Sequence, residues 1–276
     1  SSSDYRNIEH LLSRIASSSK SKKISFSLPS IRLDSLNPGL IELIRSGRKT
    51  GLTFAPEAGS KRMRDIINKN IGEDEMLDCI SMAFSKGWER IKLYFMIGLP
   101  FETGEDITQI ILLIKKIIQA ARDEVAGSKL SRLKINISIN SFCPKPFTPF
   151  QWVSQDSPEK LNDKFNYILK HVPRRYVNIS WSDPGKSVIE CALSRGDQRI
   201  GEVIEGAWKS GAKFDNWTDY FKQHIWENEF RKAGLDINFF TTRGFSSSEI
   251  LPWDVIDIGV SKRFLLKEYD KSKKYL

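Results

Sequence analysis

Two kinds of hydrophobic run alternate along the chain. Short runs at Ile24–Leu28, Gly51–Ala55, Ile91–Ile97 and Lys134–Asn140 each break directly into polar or Gly/Pro-rich turns. Between them, apolar residues recur at helical spacing. Ile8, Leu11, Leu12 and Ile15 predict a helix over about residues 4–17, with Asp4 as its N-cap. Leu40, Ile41 and Ile44 predict a second over about 38–46, ending at Gly47. The strand at 51–55 feeds a helix over about 60–69. Gly72-Glu73-Asp74-Glu75 opens another, with Met76, Leu77, Ile80, Ala83 and Phe84 on its apolar face and Gly87 as its stop. The strand at 90–97 is apolar almost throughout, as expected of a strand buried on both faces of a parallel sheet. Thr103 caps a helix over 104–122, and Ile135, Ile137 and Ile139 alternate in a strand over 134–140.

Strand–helix–strand units of this length imply parallel strands joined by right-handed crossovers. The expected fold class is α/β, a partial (β/α) barrel. Such barrels build their sites at the C-terminal ends of the strands. After about residue 150 the pattern changes. Residues 158–171 and 198–234 read as helices, Val177–Trp181 as one more strand, and five of the seven tryptophans lie beyond residue 180. The expected organisation is a partial barrel over 1–152 and a mostly helical extension over 153–276, packed around large aromatics and covering one face of the barrel. The first residue is not Met, and the chain opens into a helical pattern, as a fragment of a longer polypeptide would.

With 276 residues, 40% hydrophobic and 28% charged, the chain is long enough for a sizeable core. No run approaches the roughly 20 apolar residues of a membrane span; Ile110–Ile118 is cut by Lys115 and Lys116. Cys79, Cys143 and Cys191 are too scattered for a disulfide framework or a metal cluster, so a reduced, cytoplasmic setting is the default. The net charge of +9 favours an anionic partner such as RNA, or simply a lysine-rich surface. The Lys20–Lys23 cluster and the Lys267–Lys274 stretch lack the aromatic interleaving of a single-strand binding platform.

Candidate chemistry concentrates at the strand exits. Glu57 and Ser60 open a helix after a strand, where unpaired N–H groups and a positive dipole suit a hydroxyl or carboxylate, or where either residue simply caps the helix. Arg62, Arg64 and Lys69 follow, as a solvated face or with one cation reaching a ligand. Gly98 permits close backbone approach, and Pro100 fixes the exit of its strand. The run 141–150 holds Pro144, Pro146 and Pro149 in a rigid loop. Its Cys143 has no histidine near it in sequence and reads as packing. His10, His171 and His224 are scattered, which leaves hydrolase triad logic without an anchor. Asp197 reads as the cap of the helix that follows it and as a local ion-pair partner.

In this order the turns resemble the later part of a radical S-adenosylmethionine (SAM) enzyme barrel. Ile31-Arg32-Leu33-Asp34-Ser35-Leu36-Asn37-Pro38 resembles a third-strand exit, Pro56-Glu57-Ala58-Gly59-Ser60 the fourth, Met96-Ile97-Gly98-Leu99-Pro100-Phe101-Glu102-Thr103 the fifth, and Pro144–Trp152 the sixth. The nearest likeness is to B12-binding-domain radical SAM proteins of unsettled function. In these, Leu28-Pro29-Ser30, Ser194-Arg195-Gly196-Asp197 and Leu251-Pro252-Trp253-Asp254 also have counterparts. The resemblance implies that Glu57 and Ser60 meet the SAM ribose or amino-acid part. Lys69, with Arg62 as its competitor, would meet the carboxylate, Ile97 and Gly98 would flank adenine, and Ser30, Arg32 and Asn140 would line the pocket.

The Cys-x3-Cys-x2-Cys that ligates a [4Fe–4S] cluster in such enzymes is absent from this sequence and is expected upstream, as is any cobalamin-binding domain. The implied activity is reductive cleavage of SAM to start radical chemistry on an unknown substrate. The alternative is a cluster-free barrel that binds a nucleotide or RNA. Partners are then the unknown substrate and an RNA or ribosomal component, with no membrane.

Overall fold

The computed structural model describes residues 5–18, 39, 43, 51–125 and 127–276. Asp4, the strand expected at 24–28 and most of the helix expected at 38–46 lie outside them, as do Ser30, Arg32, Asp34 and the Lys20–Lys23 cluster.

The described elements in order are α1 (Ile8–Ser18), β1 (Leu52–Glu57), α2 (Lys61–Ile66), α3 (Glu73–Ser85), β2 (Arg90–Ile97), α4 (Gly104–Glu124) and β3 (Lys134–Ser141). They continue as α5 (Pro158–His171), β4 (Val177–Trp181), α6 (Pro184–Arg195), α7 (Ile200–Lys209), α8 (Gln223–Lys232), α9 (Ile237–Phe240) and α10 (Lys262–Ser272). The architecture is α/β, with four strands in the order β1-β2-β3-β4. β1 and β2 pair in parallel, Leu52 beside Ile91 and Phe54 beside Leu93. Sequence order along the sheet and intervening helices are what a parallel sheet requires. This is part of a (β/α) barrel, followed by a mostly helical extension.

Burial in β2 alternates, contrary to the expectation of a strand buried on both faces. Ile91, Leu93, Phe95 and Ile97 are buried, while Lys92 and Tyr94 share the other face with the Lys92 ammonium 4.5 Å from the Tyr94 ring centre. A lysine stem lies well on an aromatic face while its head stays wet. β1 runs two residues past its expected end, through a register irregularity between Phe54 and Glu57. The helix of the Thr103 cap is 21 residues long. Thr103 and Asp106 satisfy each other's backbone N–H in a capping box, and Ile107, Ile110, Ile114 and Ile117 bury its apolar stripe. It packs against α3.

The chain forms two compact units. Ser1–Phe95, Thr103–Ile139 and Ile168–Ser180 make one; Met96–Glu102, Asn140–Tyr167 and Trp181–Leu276 make the other. The exit of β1 therefore belongs to the first unit, and the exits of β2, β3 and β4 belong to the second.

In the second unit, Ile189, Ala192, Val203, Ala207, Trp226, Phe230 and Phe240 share one core, and Trp152, Phe245, Leu251, Trp253 and Leu265 another. The expectation of tryptophan packing holds for Trp226 and Trp253, but Trp208 and Trp217 are more than half exposed. The single helical stretch expected at 198–234 is two helices, because the chain turns at Gly211 with φ +95°. α6 went unanticipated despite Asp183 at its N-cap and Pro184 at its first position. Asp197 pairs locally as expected, its carboxylate with Arg199, but the N-cap of α7 is Arg199. Among the described residues no helix is long and apolar enough to cross a membrane.

Candidate functional site

The exit of β1 is built around a strained glutamate. Glu57 takes a left-handed backbone conformation, φ 65°, which costs a non-glycine residue of order 1–3 kcal/mol. Its carboxylate is about a quarter exposed and accepts a hydrogen bond from Lys69 Nζ at 3.1 Å. Two of the expected site residues are thus brought together.

The turn beneath this pair is fixed from inside. Arg64, expected on a solvated face, is fully buried. Its Nη1 donates to the carbonyls of Gly59 (2.8 Å) and Ala58 (3.2 Å), and its Nε donates to that of Ile71 (3.1 Å). Gly59 has no room for a side chain: a Cβ there would lie 2.1 Å from the Ile110 backbone nitrogen. Ser60 is the N-cap of α2, accepting from the Met63 N–H and donating to Asp106 Oδ1 at 2.6 Å. Arg62, the competitor to Lys69, pairs with Asp106 Oδ2, which also accepts from the Thr103 N–H and hydroxyl. Burial pushes the Asp106 carboxyl up, but hydrogen bonds from Arg62, Ser60 and Thr103 outweigh it and hold the group below its ordinary value. Ser60 and Arg62 are thus tied into the Asp106 network, while Glu57 and Lys69 pair with each other.

In the second unit, Ile97 is fully buried at the end of β2, and its carbonyl accepts the Phe142 N–H at 2.8 Å. Gly98 follows with φ 74°, donating its N–H to Glu102 Oε2 at 2.8 Å. Lys164 Nζ lies 2.6 Å from Glu102 and 2.7 Å from Asp156. Burial raises the Glu102 carboxyl, opposed by the Lys164 charge and hydrogen bonds. Glycine suits this left-handed backbone, and a Cβ on it would press on the Leu161 side chain at 3.0 Å and on Asp156 at 3.3 Å. Glu102, Lys164 and Asp156 fix this turn. Only the glutamate sits inside the motif read from sequence, and Lys164 lies 62 positions further along.

At the exit of β3, Asn140 is exposed, whereas Phe142, Cys143 and Pro144 are buried. Gln151 Oε1 accepts the Phe147 N–H at 3.0 Å and Trp253 Nε1 at 2.6 Å, so the proline-rich loop is tied to the Leu251–Asp254 turn. Glu57, Phe101 and Phe147 are three of the six left-handed non-glycine residues among those described; Glu57 ends β1, and Phe101 and Phe147 follow β2 and β3.

Among the described residues no group of three His, Cys, Asp or Glu side chains is placed to hold a metal ion. Cys79, Cys143 and Cys191 are all free thiols, and Cys79 lies in α3 of the first unit. The described residues therefore do not fit a [4Fe–4S] cluster, which needs converging thiolates.

The uncharacterized protein MJ0966 of Methanocaldococcus jannaschii is 33% identical to this chain over 215 residues, covering 74% of the chain and 45% of that protein. The chain thus spans less than half the length of this relative. Residues 1–114, which take in the exits of both β1 and β2, match the family model described as the Radical SAM superfamily.

Proposed function

We propose that this chain is the SAM-binding part of a radical SAM protein and that the exit of β1 holds the cofactor's ribose and amino-acid end. The observation that carries the reading is the Glu57–Lys69 pair on a left-handed backbone, inside the matched region 1–114. Glu57 accepts hydrogen bonds from the ribose hydroxyls and Lys69 meets the methionine carboxylate. Strain at a strand exit accords with a ligand clamp. A [4Fe–4S] cluster supplies the electron in radical SAM chemistry, and the described residues contribute none of its ligands. The chain's own part is to bind, orient and exclude water. Radical chemistry on an unidentified substrate is the activity we assign to the whole protein. Calorimetric titration of the chain with SAM tests the binding reading: saturable one-to-one binding supports it, and absence of heat from a folded chain refutes it.

A second reading, RNA binding, draws on one observation. Phe214, Trp217 and Tyr220 are each more than half exposed, with Phe214 5.6 Å from Trp217 and 5.9 Å from Tyr220 between ring centres. Lys186 Nζ reaches the Asn216 carbonyl of the same loop at 3.2 Å. Clustered rings beside cations suit single-stranded bases. Filter binding of an unstructured RNA at rising salt checks this; a steep fall with salt favours it, and no binding at low salt rejects it.

A further inference from the structure

Cys143 and Cys191 stand 48 positions apart, and the fold brings the two segments that carry them together. Gln155 Nε2 donates to the Phe142 carbonyl at 3.1 Å and to the Ser187 hydroxyl at 2.9 Å. Lys145 Nζ lies 2.5 Å from Glu190 Oε1 and 2.9 Å from the Ser194 hydroxyl. The residues on either side of Cys143 are thus tied to α6 at 187, 190 and 194. Cys191 follows Ser187 by four residues and precedes Ser194 by three, which places it on the same helical face. Its side chain is fully buried, while Cys143 keeps 9% of its surface. The two thiols are near enough for each to bias the other's ionisation. This neighbour, with the Lys145 charge, holds the Cys143 thiol below its ordinary value despite burial, and Cys143 and burial together push Cys191 up.

We propose that Cys143 and Cys191 form an oxidisable thiol pair, in which a peroxide converts Cys143 to a sulfenic acid and Cys191 closes it to a disulfide. In the first step the Cys143 sulfur attacks the peroxide; the O–O bond breaks, one oxygen stays on sulfur and the other leaves as water. In the second, the Cys191 sulfur attacks the Cys143 sulfur, the S–O bond breaks, and the hydroxyl leaves with the Cys191 proton as a second water. The sulfurs together lose two electrons, and the peroxide takes them up. Of the two buried thiols, Cys143 has the lowered pKa and the remaining surface, which makes it the one a peroxide attacks and Cys191 the one that resolves. The disulfide would staple the loop after β3 to α6.

The test is hydrogen peroxide titration of the full pre-reduced chain, followed by intact mass and peptide mapping without reductant. The expected product is monomeric, two hydrogens lighter, with the Cys143 and Cys191 peptides joined. Cys191→Ser is expected to accumulate a dimedone-reactive Cys143, Cys143→Ser to yield neither product, and Cys79→Ala to behave as wild type. Circular dichroism confirms that each variant is folded, and Cys191→Ala replaces the serine variant if it is not. Both thiols surviving peroxide in the folded chain, oxidation falling equally on Cys79, or disulfides forming only between chains would overturn the proposal.

Discussion

Lys69 Nζ lies 3.1 Å from Glu57 Oε1, on a glutamate whose backbone is left-handed. Both side chains are about a quarter exposed, and an ion pair so placed adds little to folding. Glu57→Gln and Lys69→Met are each expected to change the urea-unfolding free energy by less than about 1 kcal/mol. A loss several times larger would make the pair a structural strut.

Gly59→Ala is expected to destabilise the chain by about 3 kcal/mol, because the new methyl meets the α4 backbone, which cannot swing aside. Gly104→Ala, at a position with nothing within 4 Å, is the control and should stay within about 0.5 kcal/mol of wild type. Equal effects in chemical denaturation would contradict the close approach of the β1–α2 turn to α4.

Arg64 supplies charged donors to three carbonyls in a buried turn. Arg64→Met is expected to cost about 3 kcal/mol, since the carbonyls lose their partners without gaining water. Arg64→Lys should recover little, because a compact ammonium cannot span the same fork of acceptors. Full recovery with lysine would show that charge alone matters there.

Asp106 sets an acid limit. Its native carboxyl is held below the unfolded value of about 3.9. The stability it contributes is therefore fully present above that value and is lost as pH falls through the lower native one. Asp106→Asn should weaken the fold at neutral pH and flatten the acid limb of a stability–pH curve measured by chemical denaturation. An unchanged acid limb would mean that other carboxylates govern it.

Most of the described fold was legible because its signals are local. Thr103 before an isoleucine stripe and the short run at Val177–Trp181 needed only periodicity and caps to read. The β1 exit was legible by position and not by role. Glu57, Ser60, Arg62, Arg64 and Lys69 all stood out, but only folding assigns Arg64 to the buried turn, Ser60 and Arg62 to Asp106, and Lys69 to Glu57. The Ser60 and Arg62 assignments depend on Asp106, more than 40 positions away. Lys164 and the Cys143–Cys191 pair were invisible for the same reason: nothing near them in sequence signals their partners.

The central claim is that the β1 exit holds SAM. The direct measurement is the dissociation constant for SAM of wild type, Glu57→Gln and Lys69→Met, with Lys145→Met as a control in the other unit. The account predicts that wild type and control bind alike, and that each β1-exit variant weakens binding about tenfold, or about 1.4 kcal/mol. Wild-type affinity in both Glu57→Gln and Lys69→Met would contradict it.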